Sequence, residues 1–165
     1  MVFINIKRMD SSIYSILKGD GHMFIGMYEH QMDTKNRMIV PSKLREELGD
    51  KVVFTKGIDN CLYLYPMEEW EKFMAKLSKL PVSDPIARKF VRNFTSNAEE
   101  CELDKQGRVT IPKLLRSKVG IEKELTTVGC MDKIEVWSRE VYQQAEEDIT
   151  MNEEDIAEGM TVYGI

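Results

Sequence analysis

The chain of 165 residues is predicted to be an α+β protein made from two copies of one small unit, with helices between and after them. Three observations predict this. First, Asp-Thr-Lys-Asn-Arg-Met-Ile-Val-Pro at residues 33–41 returns as Asp-Lys-Gln-Gly-Arg-Val-Thr-Ile-Pro at 104–112, with Asp, Arg and Pro in the same places 71 residues apart. Second, short β-branched and apolar runs flank turn residues in both copies. Third, apolar residues at helical spacing occur between the copies and after the second. The match continues past each nonapeptide: Leu44-Arg45 answers Leu115-Arg116, and Leu48-Gly49 answers Val119-Gly120. After a one-residue slip, Gly57, Leu62, Leu64 and Glu68 answer Gly129, Ile134, Val136 and Glu140. Each copy is short for an independent core, so fusion of the two, or oligomerisation, is expected.

Residues 1–22 belong to neither copy and lack the order of charge, apolar core and cleavage site of a secretory signal. Lys18-Gly19-Asp20 is encodable by a purine-rich ribosome-binding sequence a few codons before Met23. Met23 is therefore the expected start, with a disordered natural arm as the rival explanation. Residues 24–32 alternate roughly as a strand. The motif then turns. Asn36 and Gly107 are the residue types best suited to a left-handed backbone, so both copies are expected to bend with positive φ just before the arginine. Residues 37–40 and 108–111 read as a second strand. Pro41 and Pro112 are placed to open short helices at their first helical position, over 42–48 and 113–119, with Gly49 and Gly120 as C-terminal caps. Residues 52–55 and 62–65 form an expected hairpin, matched by 125–128 and 134–137.

Between the copies, Trp70, Phe73, Met74 and Leu77 recur at helical spacing and Pro81 ends that helix. The Trp70/Phe73 stripe reads as core or subunit contact. Asp84-Pro85 then opens a helix to about Phe94, with Ile86, Phe90 and Phe94 on one face and Arg88 and Arg92 on another. The Arg88/Lys89/Arg92 cluster reads as a solvated face that adds phosphate contacts if it lies on the side of the loops. After the second copy a helix is expected from Arg139, and residues 159–165 are expected to dock as a short extended segment. The predicted organisation is a leader at 1–22, a first repeat at 23–70, linking helices at 71–98, a second repeat at 99–141, and an acidic C-terminal helix and tail at 142–165.

The net charge is −5, but it is segregated. Residues 141–165 hold seven acidic groups and no Lys or Arg, so the rest of the chain carries +2. A local basic site fits this distribution; a protein-wide basic field does not. No apolar run is long enough to cross a bilayer. Cys61, Cys101 and Cys130 are scattered and read as reduced thiols of a cytosolic protein. No histidine or cysteine cluster, calcium loop, phosphate-binding glycine loop or nucleophile elbow is present, so neither a metal, a cofactor nor a catalytic residue is predicted, and the chain is not read as an enzyme.

The chemistry concentrates in the two loops. Asp33 and Asp104 open the turns and are placed to cap their own backbones. Lys35 and Arg37, and Lys105 and Arg108, stand together on tight exposed loops. Arginine presents a planar fork suited to phosphate oxygens or the guanine edge, and lysine a point charge suited to phosphate. The competing explanation is an Asp–Arg ion pair that only staples the turn. Two copies at the same spacing weaken it without removing it, because duplication preserves a scaffold too.

These duplicated loops, with Tyr65-Pro66-Met67, Glu69-Trp70, Thr95-Ser96-Asn97-Ala98 and Glu100-Cys101-Glu102-Leu103 between them, resemble the MraZ family over about residues 23–165. Asn36 departs from the glycine usual in that family. The resemblance implies two AbrB-like swapped-hairpin halves whose strands interleave into a small β-barrel, and ring-shaped homo-oligomers. It also implies a cytoplasmic, nucleoid-associated transcriptional regulator. Such a protein binds double-stranded DNA at short direct repeats upstream of its own operon, the division and cell-wall gene cluster. Lys35, Arg37, Lys105 and Arg108 would contact DNA, while Asp33, Asn36, Asp104 and Gly107 set the turns. Several subunits would add weak loops into tight binding. The alternative reading is a protein-interaction or antitoxin-like module with the same fold.

Overall fold

The computed structural model describes residues 21–165. The leader prediction therefore lies, apart from Gly21 and His22, outside the described residues. In chain order the strands are β1 (Met27–Gln31), β2 (Arg37–Ile39), β3 (Lys51–Lys56), β4 (Leu62–Pro66), β5 (Glu99–Glu102), β6 (Arg108–Thr110), β7 (Glu124–Cys130) and β8 (Lys133–Ser138). The helices are α1 (Ser42–Leu48), α2 (Met67–Ser78), α3 (Pro85–Ser96), α4 (Lys113–Lys118), α5 (Arg139–Asp148) and α6 (Glu153–Tyr163).

The two repeats exchange strands. One six-stranded antiparallel sheet runs β1-β7-β8-β4-β3-β5, and a separate two-stranded ribbon pairs β2 with β6. The first strand of each repeat lies on the hairpin of the other: β1 on β7, with Glu29 opposite Thr126, and β5 on β3, with Val52 opposite Cys101. The hairpins meet through β4 and β8, Tyr63 opposite Glu135. Gly129 permits the close approach of the incoming chain, since a Cβ there would sit 2.4 Å from the Ile25 backbone nitrogen.

The sheet separates two cores because its side chains alternate. Val52, Phe54, Leu62, Leu64, Leu125, Ile134 and Val136 point to one side, where Met38, Val40, Leu44, Leu48, Val109, Ile111 and Leu115 from the ribbon, α1 and α4 cover them. Val53, Tyr63, Tyr65 and Trp137 point to the other, against Trp70, Leu77, Phe94 and Tyr142 from α2, α3 and α5. Thr55, fully buried on that side, donates its hydroxyl to the carbonyl of Phe94 at 2.9 Å. The ribbon and the linking helices thus lie on opposite faces of the central sheet.

This architecture corrects the expected barrel. Among the described residues, no sheet closes. The six-stranded sheet ends in the free edges of β1 and β5, and the ribbon pairs only with itself. The physical reason lies in the prolines. β2 and β6 are three residues each, ended by Pro41 and Pro112, so they reach only each other, and their inward side chains Met38 and Val109 lay the ribbon on the face of the sheet and not along its edge.

Other boundaries differ locally. Pro41 and Pro112 are extended N-cap residues with ψ of 133° and 134°, one place before the first helical residue. Gly49 is the C-cap of α1, whereas Val119 caps α4 and Gly120 follows at φ +70°. Residues 24–32 form a strand only over Met27–Gln31, with Phe24 bridging Met131. The C-terminal residues are not extended. They form α6, started by a reciprocal capping box between Asn152 and Asp155 and ended by Gly164 at φ 72°.

Candidate nucleic-acid interface

Both loops are built by one aspartate. Asp33 Oδ1 accepts the backbone N–H groups of Lys35 (2.9 Å) and Arg37 (3.0 Å), and Asp104 Oδ1 accepts those of Gln106 (2.9 Å) and Arg108 (2.9 Å). The second carboxylate oxygen takes the Nε–H of the arginine at 2.7 Å in each copy. Both carboxyls are held below the ordinary aspartate value, chiefly by the backbone N–H of the arginine four residues on. Asn36 and Gly107 both adopt left-handed backbone, at φ 59° and 73°. The Asp–Arg ion pairs are real, so the staple role is filled. It uses only Nε, however. The terminal nitrogens take no part in it, although Arg108 Nη2 also donates to Gln106 Oε1 at 3.2 Å.

The structure brings the two loops together. Met38 and Val109 are opposite each other in the ribbon and point into the core. Arg37, Ile39, Arg108 and Thr110 therefore share the outward face. Arg37 stands opposite Thr110 and Arg108 opposite Ile39, so the arginines are diagonal neighbours, about 7–8 Å apart by strand geometry. Lys35 and Lys105 are exposed beside them on their turns. The sequence prediction of two similar loops becomes one composite surface with two guanidinium forks.

Two residues that sequence reasoning passed over brace this surface. Arg45 Nη2 donates to the carbonyl of Val40 at 2.9 Å, and Arg116 Nε to that of Ile111 at 2.9 Å, so each tethers its own helix to its own strand. Each also reaches the loop of the other repeat. Arg116 Nη1 donates to Asn36 Oδ1 at 3.3 Å, while the guanidinium of Arg45 lies against Gly107, where an added Cβ would fall 2.1 Å from Nε. The recurrence of Leu-Arg at the same offset was the available signal.

Arg88, Lys89 and Arg92 lie on α3, on the far side of the sheet from the loops, and do not join them. Cys61 and Cys130 donate their thiols to the two oxygens of Glu135 at 3.5 and 3.0 Å. Burial pushes both thiols up, Cys130 to about 12, so at neutral pH they are protonated. Among the described residues, no group of three or more His, Cys, Asp and Glu side chains is placed to hold a metal ion, and no helix is long and apolar enough to cross a membrane.

Fold and site together define a duplicated, strand-exchanged protein that presents paired Asp–Arg loops on one ribbon. The family model described as "MraZ protein, putative antitoxin-like" matches twice, over residues 23–93 and 94–163. The chain belongs to the MraZ family. It is 50% identical over 143 residues to the transcriptional regulator MraZ of Clostridium tetani, covering 87% of this chain and 100% of that one. The transcriptional regulators MraZ of Alkaliphilus metalliredigens (49% over 143 residues) and Clostridium acetobutylicum (51% over 144) are covered to the same extent. These relatives carry the names of regulators, not of enzymes.

Proposed function

We propose that the chain is a DNA-binding transcriptional regulator whose β2–β6 ribbon docks on duplex DNA. The supporting observation is the diagonal pair Arg37 and Arg108 on the outward face of the ribbon, each pinned to its own aspartate through Nε. For Arg37 that leaves both terminal nitrogens for the O6/N7 edge of guanine or for phosphate oxygens, while Arg108 first has to release the contact of its Nη2 with Gln106. Pinning lowers the ordering cost on binding, because the turn and the arginine stem are already set. Lys35 and Lys105 contact the backbone and set register.

One ribbon offers few charges, so a single copy binds weakly. Several copies, each engaging one of a row of short direct repeats upstream of the protein's own operon in the division and cell-wall cluster, raise affinity by effective concentration. A ring-shaped homo-oligomer suits that use. This reading places the protein in the cytoplasm, associated with the nucleoid. The acidic C-terminal segment keeps other faces off DNA.

A mobility-shift titration on the DNA upstream of the gene, with wild type and Arg37→Ala, tests the proposal. Binding should weaken in the variant and fall steeply with salt. Equal shifts, together with a stoichiometric protein partner in a pull-down, would favour the interaction or antitoxin-like module instead.

A further inference from the structure

The outward face of the ribbon carries one residue that the arginines do not account for. With Met38 and Val109 buried beneath it, the ribbon shows Arg37 and Ile39 from β2 and Arg108 and Thr110 from β6 on its outer face. All but Ile39 are polar. Ile39 is 52% exposed among two guanidinium groups and a hydroxyl. A single exposed isoleucine is ordinary by itself. This one lies directly across the ribbon from Arg108, with Cβ atoms about 4.5–5.5 Å apart by strand geometry. When Arg108 meets a base edge, Ile39 meets the edge beside it.

The major groove of DNA is wide enough for a two-stranded ribbon. Every base pair shows hydrogen-bonding groups there, and thymine alone adds an apolar one, its C5-methyl. Isoleucine neither donates nor accepts. Pressed against a polar edge it strips water away and supplies no hydrogen bond in exchange. Against the thymine methyl it buries apolar surface on both sides.

The matching place in the other strand is Thr110, two residues after its arginine as Ile39 is after Arg37. Thr110 is exposed, and its hydroxyl suits more than one base. Half of the outer face therefore sets Arg37 beside Thr110, and the other half sets Arg108 beside Ile39. This breaks the near two-fold symmetry of the ribbon on the surface that faces DNA. A symmetric ribbon would sit equally well in either direction on a duplex. Direct repeats all run one way, so a reader of them has to tell its two ends apart.

We infer that Ile39 is a specificity-determining residue that packs on the methyl group of a thymine, one or two base steps from the edge reached by Arg108. The Cβ separation of about 4.5–5.5 Å falls between one and two steps of about 3.4 Å. The inference rests on the reading that the ribbon docks on duplex DNA, and it adds thymine to what the arginines recognise.

The test uses the DNA upstream of the gene in two forms, one with thymine and one with deoxyuridine in its place, which lacks only the methyl groups. Quantitative mobility shifts compare full-length wild type, Ile39→Val and Ile39→Ser on both forms. Wild type should bind the deoxyuridine form about fourfold more weakly per engaged ribbon, the worth of one buried methyl group. Ile39→Val keeps an apolar surface and should keep most of that ratio, whereas Ile39→Ser should bind both forms alike. A change in DNA stiffness would enter all three ratios equally, and a weaker fold would cancel within each. The same ratio in wild type and Ile39→Ser would overturn the role of Ile39 and leave the ribbon as the DNA surface. A wild type that shifts neither form would overturn the DNA-binding reading itself, and this inference with it.

Discussion

The two loops share a frame and differ in what they present. In each, one aspartate takes two backbone N–H groups and the arginine Nε with nearly identical distances. Outward from that frame they diverge. In the second loop, Gln106 Oε1 accepts from Arg108 Nη2 at 3.2 Å and holds part of the fork. The matching place in the first loop is Lys35, which has no acceptor, so the fork of Arg37 stays open and gains a cation beside it. The braces diverge as well. Asn36 gives Arg116 an oxygen, while Gly107 gives Arg45 only room. Duplication has kept the device that aims each arginine and let the chemistry around it drift.

This difference ranks the arginines. On operator DNA, Arg37→Ala should cost about 1–3 kcal/mol per fully used contact, roughly 5- to 150-fold in Kd. Arg108→Ala should cost less, because binding must first release the Gln106 contact. Lys35→Gln, which makes the first loop resemble the second, should lower the salt slope by about 1 with little change in sequence preference. Quantitative mobility shifts at several salt concentrations measure all three. A larger loss from Arg108→Ala would reverse the ranking.

The braces make the opposite ranking for stability. Gly107→Ala forces a Cβ onto the Arg45 guanidinium and places alanine at φ 73°. Arg45 must then leave the Val40 carbonyl, and the expected loss is about 1–3 kcal/mol. Thermal denaturation would show this as a fall in Tm of about 2–4 °C per kcal/mol for a chain of this size. An unchanged Tm would mean that Arg45 swings aside freely and braces nothing.

What the sequence revealed divides along the same line between local and distant. The positive φ at Asn36 and Gly107, the aspartate caps and the outward arginines were legible because each depends on residues within four positions. Asp84 as N-cap with Pro85 after it was legible for the same reason, and the cap accepts from Ile86 as its spacing implied. The partners of β1 and β5 were not legible, since residues 29 and 126 meet only after strand exchange. The barrel expectation failed on a detail of length: three-residue strands ended by proline cannot extend to a second neighbour. Arg45 and Arg116 were visible as a repeated pair, but their role depends on the loop of the other repeat, and no local pattern records that. The end of α6, from residue 159, was misread as extended because its apolar residues were weighed without the Asn152–Asp155 capping box that starts the helix.

Asn36→Gly isolates the brace that the first loop has and the second lacks. Glycine relieves the cost of a left-handed asparagine, which is small for this residue type. It also removes the acceptor of Arg116 Nη1, a contact at 3.3 Å in a half-buried setting. The two terms oppose each other, so the net change in stability should lie within about 1 kcal/mol. The readout that separates them is a double cycle with Arg116→Lys. If the brace couples the repeats, the two changes are non-additive; strict additivity would leave Asn36 as a turn residue alone.

The smallest expected effect concerns the shared frame. Asp33 and Asp104 are both depressed below their usual value of 3.8, for the same causes in the same order. A carboxyl whose folded-state pKa is lowered adds stability that is present above its unfolded value and lost as pH falls through its folded value. At neutral pH both loops therefore hold their full frame, and loosening begins only in acid, below about pH 4. Carboxyl chemical shifts followed by NMR should show Asp33 and Asp104 titrating together, both below ordinary aspartates. Matching titrations would confine the asymmetry of the loops to Lys35, Gln106 and the braces. Separate ones would place it in the aspartate frame itself, and the ranking of Arg37 over Arg108 would then have to be argued from how firmly each is held.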